Sequence, residues 1–176
     1  GVSQTQLRKH LDQVPIRYFS HYGREEVALH LSMLNQFLAT NNEKKTEIIN
    51  WRNDVRRTLT VIHLITRDQI GLFEKVTGAI SVSGLNILGA RAVTRNHGIA
   101  IDAFYVEAEN SGFVDNEKTK KKCESYIHSF LADKGLPDKK ISELRIKFNG
   151  NRLFSNQEKL GEKIPSQVDV YRDVNL

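Results

Sequence analysis

The sequence predicts an α+β domain: an antiparallel sheet with two helices on one face, preceded by a helical segment. Three observations predict it. The hydrophobic period switches from helical to alternating near residue 46. Residues 58–66 (TLTVIHLIT) and 99–107 are dense in β-branched and aromatic side chains. Amphipathic stretches rich in helix formers follow each of these strand regions.

In chain order, residues 3–13 read as a short helix with Ser3 as N-cap and Leu7 and Leu11 one turn apart, ended by Pro15. A longer helix runs from Arg24 to Ala39, with Glu25 and Glu26 in the first turn, where the helix dipole favours anions. Val27, Leu31, Leu34 and Leu38 form its apolar stripe. These first forty-odd residues are too few to form a core alone. Thr46–Arg52 reads as a strand, Asn53-Asp54 as a turn, and Thr58–Thr66 as a strand. Residues 67–71 are a loop, and Leu72–Ser83 is a helix stopped by Gly84. Asn86–Arg95 and Ile99–Glu107 are strands joined by Asn96-His97-Gly98, whose glycine suits positive φ. A second helix from Asp115, read as its N-cap, to Asp133 buries Cys123, Tyr126, Ile127, Phe130 and Leu131. Residues 135–163 read as a polar insertion with a helical piece around Ile141, Leu144 and Phe148, and 166–172 as a last strand.

From Thr58 the order is therefore β-α-β-β-α-β, the split β-α-β or ferredoxin-like plan. Both faces of the central strands are apolar: Val61 and Ile65 alternate with Ile62 and Leu64. Two helices cover one face, so the Val27–Leu38 helix or a second subunit is expected to cover the other.

The chain has 176 residues, 39% hydrophobic and 27% charged, which suits one domain with appendages and excludes wholesale disorder. No stretch approaches the roughly 18 apolar residues of a membrane span. One cysteine, Cys123, excludes an intrachain disulfide framework, and a reducing, cytoplasmic setting is expected. A start at Gly1 rather than methionine points to a piece of something longer. The net charge of +5 lies in the flanks, for residues 58–114 hold four Lys+Arg against five Asp+Glu. That distribution does not suit a phosphate-tracking groove. The six histidines are scattered singly, and His63, within a strand, reads as a satisfied or dimer-facing residue rather than a metal ligand. Gly-x-Ser-x-Gly, Gly-x-Gly-x-x-Gly, Walker and His-Asp patterns are absent, so no catalytic residue and no metal site are assigned.

The informative segments are Thr66-Arg67-Asp68-Gln69-Ile70-Gly71-Leu72-Phe73 and Ser83-Gly84-Leu85-Asn86-Ile87-Leu88. Gly71 permits close backbone approach, and the N–H groups of residues 71–73 open a helix that attracts a carboxylate. Asp68 can bind an ammonium, and Asn86, expected near the loop, can donate and accept. Together these suit an α-amino acid. Spacing alone favours a plainer reading, with Asp68 capping the helix, Gly71 making a turn and Asn86 closing a loop.

Asp68-x-x-Gly71-Leu72-Phe73 with Gly84-Leu85-Asn86-Ile87 resembles the signature of ACT domains, small ligand-responsive regulatory modules. The stretches 66–75, 84–91 and 98–106, with Pro15-Ile16-Arg17-Tyr18-Phe19 before Glu25-Glu26, are similar to the first ACT repeat of the bacterial PII uridylyltransferase family and the segment preceding it. The resemblance implies a helical linker over 1–45 following a catalytic and HD region, and an ACT-like domain over 46–176. It implies an amino-acid effector, glutamine, held by Asp68, Ile70, Gly71, Leu72, Phe73, Asn86 and Ile87. It also implies a homodimer or contact with a second ACT repeat, and a PII signal protein as partner of the parent enzyme. No cofactor is implied for this segment, magnesium belonging to the catalytic region. Gln69-Ile70 stands where the family usually has Arg-Pro, which leaves the first helical turn less preset. The alternatives are a dimerisation module without ligand and an RNA-binding domain of the same topology. RNA-binding domains stack bases on third-strand aromatics, but His97-Gly98-Ile99-Ala100-Ile101 has isoleucines there, so nucleic acid is not the expected partner.

Overall fold

The computed structural model describes residues 4–39, 46–108 and 112–132 and the backbone of a strand at 167–170. The proposed helix around 141–148 and the rest of the insertion lie outside the described residues. The elements are α1 (Gln4–Leu11), α2 (Tyr18–His21), α3 (Arg24–Ala39), β1 (Glu47–Asp54), β2 (Leu59–Arg67), α4 (Leu72–Val82), β3 (Leu85–Arg95), β4 (Ile99–Ala108), α5 (Glu117–Leu131) and β5 (Gln167–Val170). The short α2 is an addition to the sequence reading, and α5 is capped by Asn116, not Asp115. The Asn116 side chain accepts from the N–H groups of Lys118 and Thr119.

The sheet order is β1-β2-β4-β3-β5. Neighbours among the first four are antiparallel, which gives the expected ferredoxin-like α+β sheet. One connection differs from the expected plan. The edge beside β2, where the last strand would close the sheet, is taken by β1. The strand at 167–170 instead lies parallel to β3 on the opposite edge. β1 reaches its place through the short turn 55–58, where the Asp54 carboxylate accepts from the N–H groups of Arg56 and Arg57. A local hairpin closes at less entropic cost than a strand arriving from far along the chain.

Strand alternation divides the core into two layers. On one face Ile62, Leu64, Phe104 and Val106 pack against Val76, Ala79 and Ile80 of α4 and Cys123 and Ile127 of α5. On the other, Val61, Ile65, Ile101 and Ala103 pack under Met33, Leu34 and Phe37 of α3 and Tyr18 and Tyr22 beside it. The N-terminal helices therefore supply the expected cover for the second face. The buried side of α3 is rotated from the expected stripe: His30, Met33 and Phe37 join Leu31 and Leu34, while Leu38 is half exposed.

A chain of polar side chains runs through this second layer. His10 Nε2 lies 3.4 Å from the Tyr18 hydroxyl, which lies 2.8 Å from His30 Nδ1. His30 Nε2 lies 3.0 Å from His63 Nδ1 on β2. All four side chains are buried. Burial is the largest effect on each histidine, lowering His10 and His63 to about 4 and His30 to about 3. His63 is thus satisfied within the chain, joining the helical segment to the sheet.

Candidate functional site

β2 ends at Arg67, which lies opposite Ile99 at the start of β4. The chain then crosses the sheet end and enters α4. The loop is fixed on one side by the β3–β4 turn: the Asp68 N–H donates to the Gly98 carbonyl (2.9 Å), and the Thr94 hydroxyl to an Asp68 carboxylate oxygen (3.2 Å). On the other side Gln69 Nε2 donates to the Leu131 carbonyl at the end of α5 (3.4 Å). Gly71 has φ 73°, in the left-handed region, and stands at the N-cap of α4 without a side-chain cap. Asp68 is therefore not the cap that spacing alone favours. Its exposed carboxylate stands near a helix N-terminus whose first-turn N–H groups carry partial positive charge.

Ile70 is 93% exposed at the tip of the loop. Leu72 is buried in the core, and Phe73 lies 5.8 Å from the Phe104 ring, so both hold the loop from beneath. Asp68, Ile70, Gly71, Leu72 and Phe73 therefore share one end of the sheet. Asn86 and Ile87 do not. Asn86 lies opposite Glu107 and donates to its carboxylate (3.4 Å), while Ile87 packs against the first core layer. The run from Ile99 to Glu107 puts Asn86 about 26 Å from the loop, at ~3.3 Å per residue. The expectation that Asn86 lies near the loop fails within one chain because β2 and β3 are parallel. α4 returns the chain to the end of the sheet from which β2 started.

Sequence reasoning missed three contributors to this end. Thr94 and Gly98 hold Asp68, and nothing in their local sequence signals it. Asp102 carried a readable signal, an acid amid the apolar run Ile99–Val106. It shares the α4 and α5 face of β4 with Ala100 and Phe104 and is 3% exposed. Burial and then the Asp68 carboxylate push it up to about 7, against a backbone hydrogen bond from Val93.

The Cys123 thiol is buried, and burial pushes it up to about 11. Among the described residues no group of three or more His, Cys, Asp or Glu side chains could hold a metal ion, and no helix is long and apolar enough to cross a membrane.

No protein-family model and no solved structure matches the chain. Four curated proteins do, all named bifunctional uridylyltransferase/uridylyl-removing enzyme. The protein from Rhodospirillum rubrum is 26% identical over 115 residues, covering 65% of this chain and 12% of the relative. That from Azospirillum brasilense is 33% identical over 75 residues, covering 42% and 8%. That from Gluconobacter oxydans is 39% identical over 51 residues, covering 29% and 5%. The matches span at most 12% of the length of these relatives. These four matches make the chain similar, over 29–65% of its length, to a segment of the bifunctional uridylyltransferase/uridylyl-removing enzymes.

Proposed function

We propose that the chain is an ACT-type regulatory unit of a uridylyltransferase/uridylyl-removing enzyme acting on a PII signal protein, and that it senses an α-amino acid, L-glutamine. The observation that carries this reading is the juxtaposition of the exposed Asp68 carboxylate with the α4 N-terminus behind left-handed Gly71. An α-ammonium would pair with Asp68 and an α-carboxylate with the first-turn N–H groups, while the effector side chain would lie over Ile70. The dipole contribution to such a carboxylate is about 0.3–1 kcal/mol, a factor of about 2–5 in affinity, so the ammonium pair and the effector side chain supply the rest. The RNA-binding alternative is disfavoured because Ile99 and Ile101 lie beneath the N-terminal helices.

Isothermal titration with L-glutamine tests the reading. Saturable heat that disappears in Asp68→Ala is expected. The absence of both heat and a melting shift at millimolar glutamine would overturn it and leave an interaction module. Asn86→Ala separates two versions of the site. Unchanged affinity is expected if one chain suffices; a loss would mean that a second copy supplies Asn86 in a homodimer.

A further inference from the structure

The turn between β3 and β4 contacts both the loop at Asp68 and the segment just beyond α1. On one side Gly98 and Thr94 hold Asp68 at 2.9 and 3.2 Å. On the other, the Asn96 N–H donates to the carbonyl of Gln13, just beyond α1, at 2.9 Å. Three adjoining positions, 94, 96 and 98, thus engage both the effector loop and the N-terminal segment. His97 and Gly98 are both left-handed, with φ 69° and 65°, so the turn has a specific backbone conformation that a shift at either side would disturb.

The seam between this turn and α1 is imperfectly satisfied. Among the described residues, the buried side-chain polar atoms without a hydrogen-bond partner are His10 Nδ1 and Arg95 Nε. Arg95, next to Asn96, is 7% exposed, and its charge acts on His10, which holds α1 to Tyr18. Each orphaned group carries a desolvation cost that is relieved when the seam opens. Farther along, α3 is held by Met33, Leu34 and Phe37 in the second core layer. The N-terminal segment therefore has a firmly docked part, α3, and a part with a lower opening cost, α1.

We propose that Thr94 and the β3–β4 turn position the effector loop and link its state to the docking of α1, so that α1 is the output of the sensor. The part concerning an effector rests on the amino-acid-sensing reading above; the mechanical link between loop and α1 does not. A ligand that favours one arrangement of Asp68 shifts the Gly98 and Thr94 contacts. The same turn carries Asn96, so the ligand binds the docked and undocked states of α1 unequally. Linkage then requires α1 docking to change effector affinity by the same factor.

Hydrogen exchange on the whole chain tests both parts. Thr94→Val deletes the hydroxyl with little change of shape and leaves α1 untouched. Without ligand, amide exchange over residues 8–13 should quicken at least threefold in this variant, with β1 and α5 unchanged. Exchange in α1 at the wild-type rate would overturn the link. With L-glutamine, wild-type α1 should change its protection. Asn96→Pro, which removes the donor to Gln13, should still give heat with glutamine while α1 no longer responds. Glutamine binding to the wild type without any change in α1 would overturn the role of α1 as output. Glutamine giving no heat, with Thr94→Val still loosening α1, would overturn the effector reading and leave the link intact.

Discussion

Gly71 shows how one backbone conformation fixes the geometry of the loop. A Cβ built there meets nothing within 4 Å, so the obstacle to a side chain is its φ of 73° alone. Gly71→Ala should therefore cost about 1 kcal/mol through backbone strain, read as a lower midpoint in chemical denaturation, with the fold retained. An unchanged midpoint would mean that the loop is free to adopt another conformation. Asp68, Ile70, Gly71, Leu72 and Phe73 were legible as a group because they are contiguous and their residue types have distinct conformational and chemical preferences. Thr94 was not, since a threonine near the end of a strand has no local sign of a partner 26 residues earlier. Asp102 lies between these cases. Its burial follows from the apolar run on both sides of it, but its proximity to Asp68 depends on strand pairing.

The elements divide by the strength of their periodic signals. α3, β2, α4, β3 and β4 were legible to within a residue or so because each is long enough to display a period. α2 has four residues, too few to show one. The face of α3 was read only approximately, because its apolar residues nearly encircle it and only packing selects between Leu38 and Phe37. That difference gives a test. Phe37→Ala, at 9% exposure, should cost about 3–5 kcal/mol, whereas Leu38→Ala, at 50%, should stay within about 0.5 kcal/mol. Urea denaturation of the two variants measures both, and equal losses would show that α3 lies on the sheet in another rotation.

At the scale of the whole molecule, the buried titrating groups set opposing acid responses. His10, His30 and His63 have an ordinary value of 6.5 and are lowered to about 4, 3 and 4 in the folded chain. Below pH 6.5 the unfolded chain binds protons that the folded chain does not, so stability is lost as pH falls toward 4. Asp102 acts with the opposite sign. Its value rises from 3.8 to about 7 on folding, so it favours the folded state increasingly as pH falls through that window. With three histidines opposing one aspartate, the melting temperature should fall between pH 7 and pH 5. Asp102→Asn removes the opposing contribution and should steepen that fall; a shallower one would contradict these assignments. The two-layer core was legible from apolar alternation on both strand faces. The order of strands was not, because hydrophobic pattern specifies faces and leaves open which strand takes an edge. The position of β1 has a consequence for how the chain assembles. All four antiparallel strands come from the continuous stretch Glu47–Ala108, linked by hairpins and a single helix. Among the described residues, a chain emerging from the ribosome therefore presents these four strands before α5 emerges.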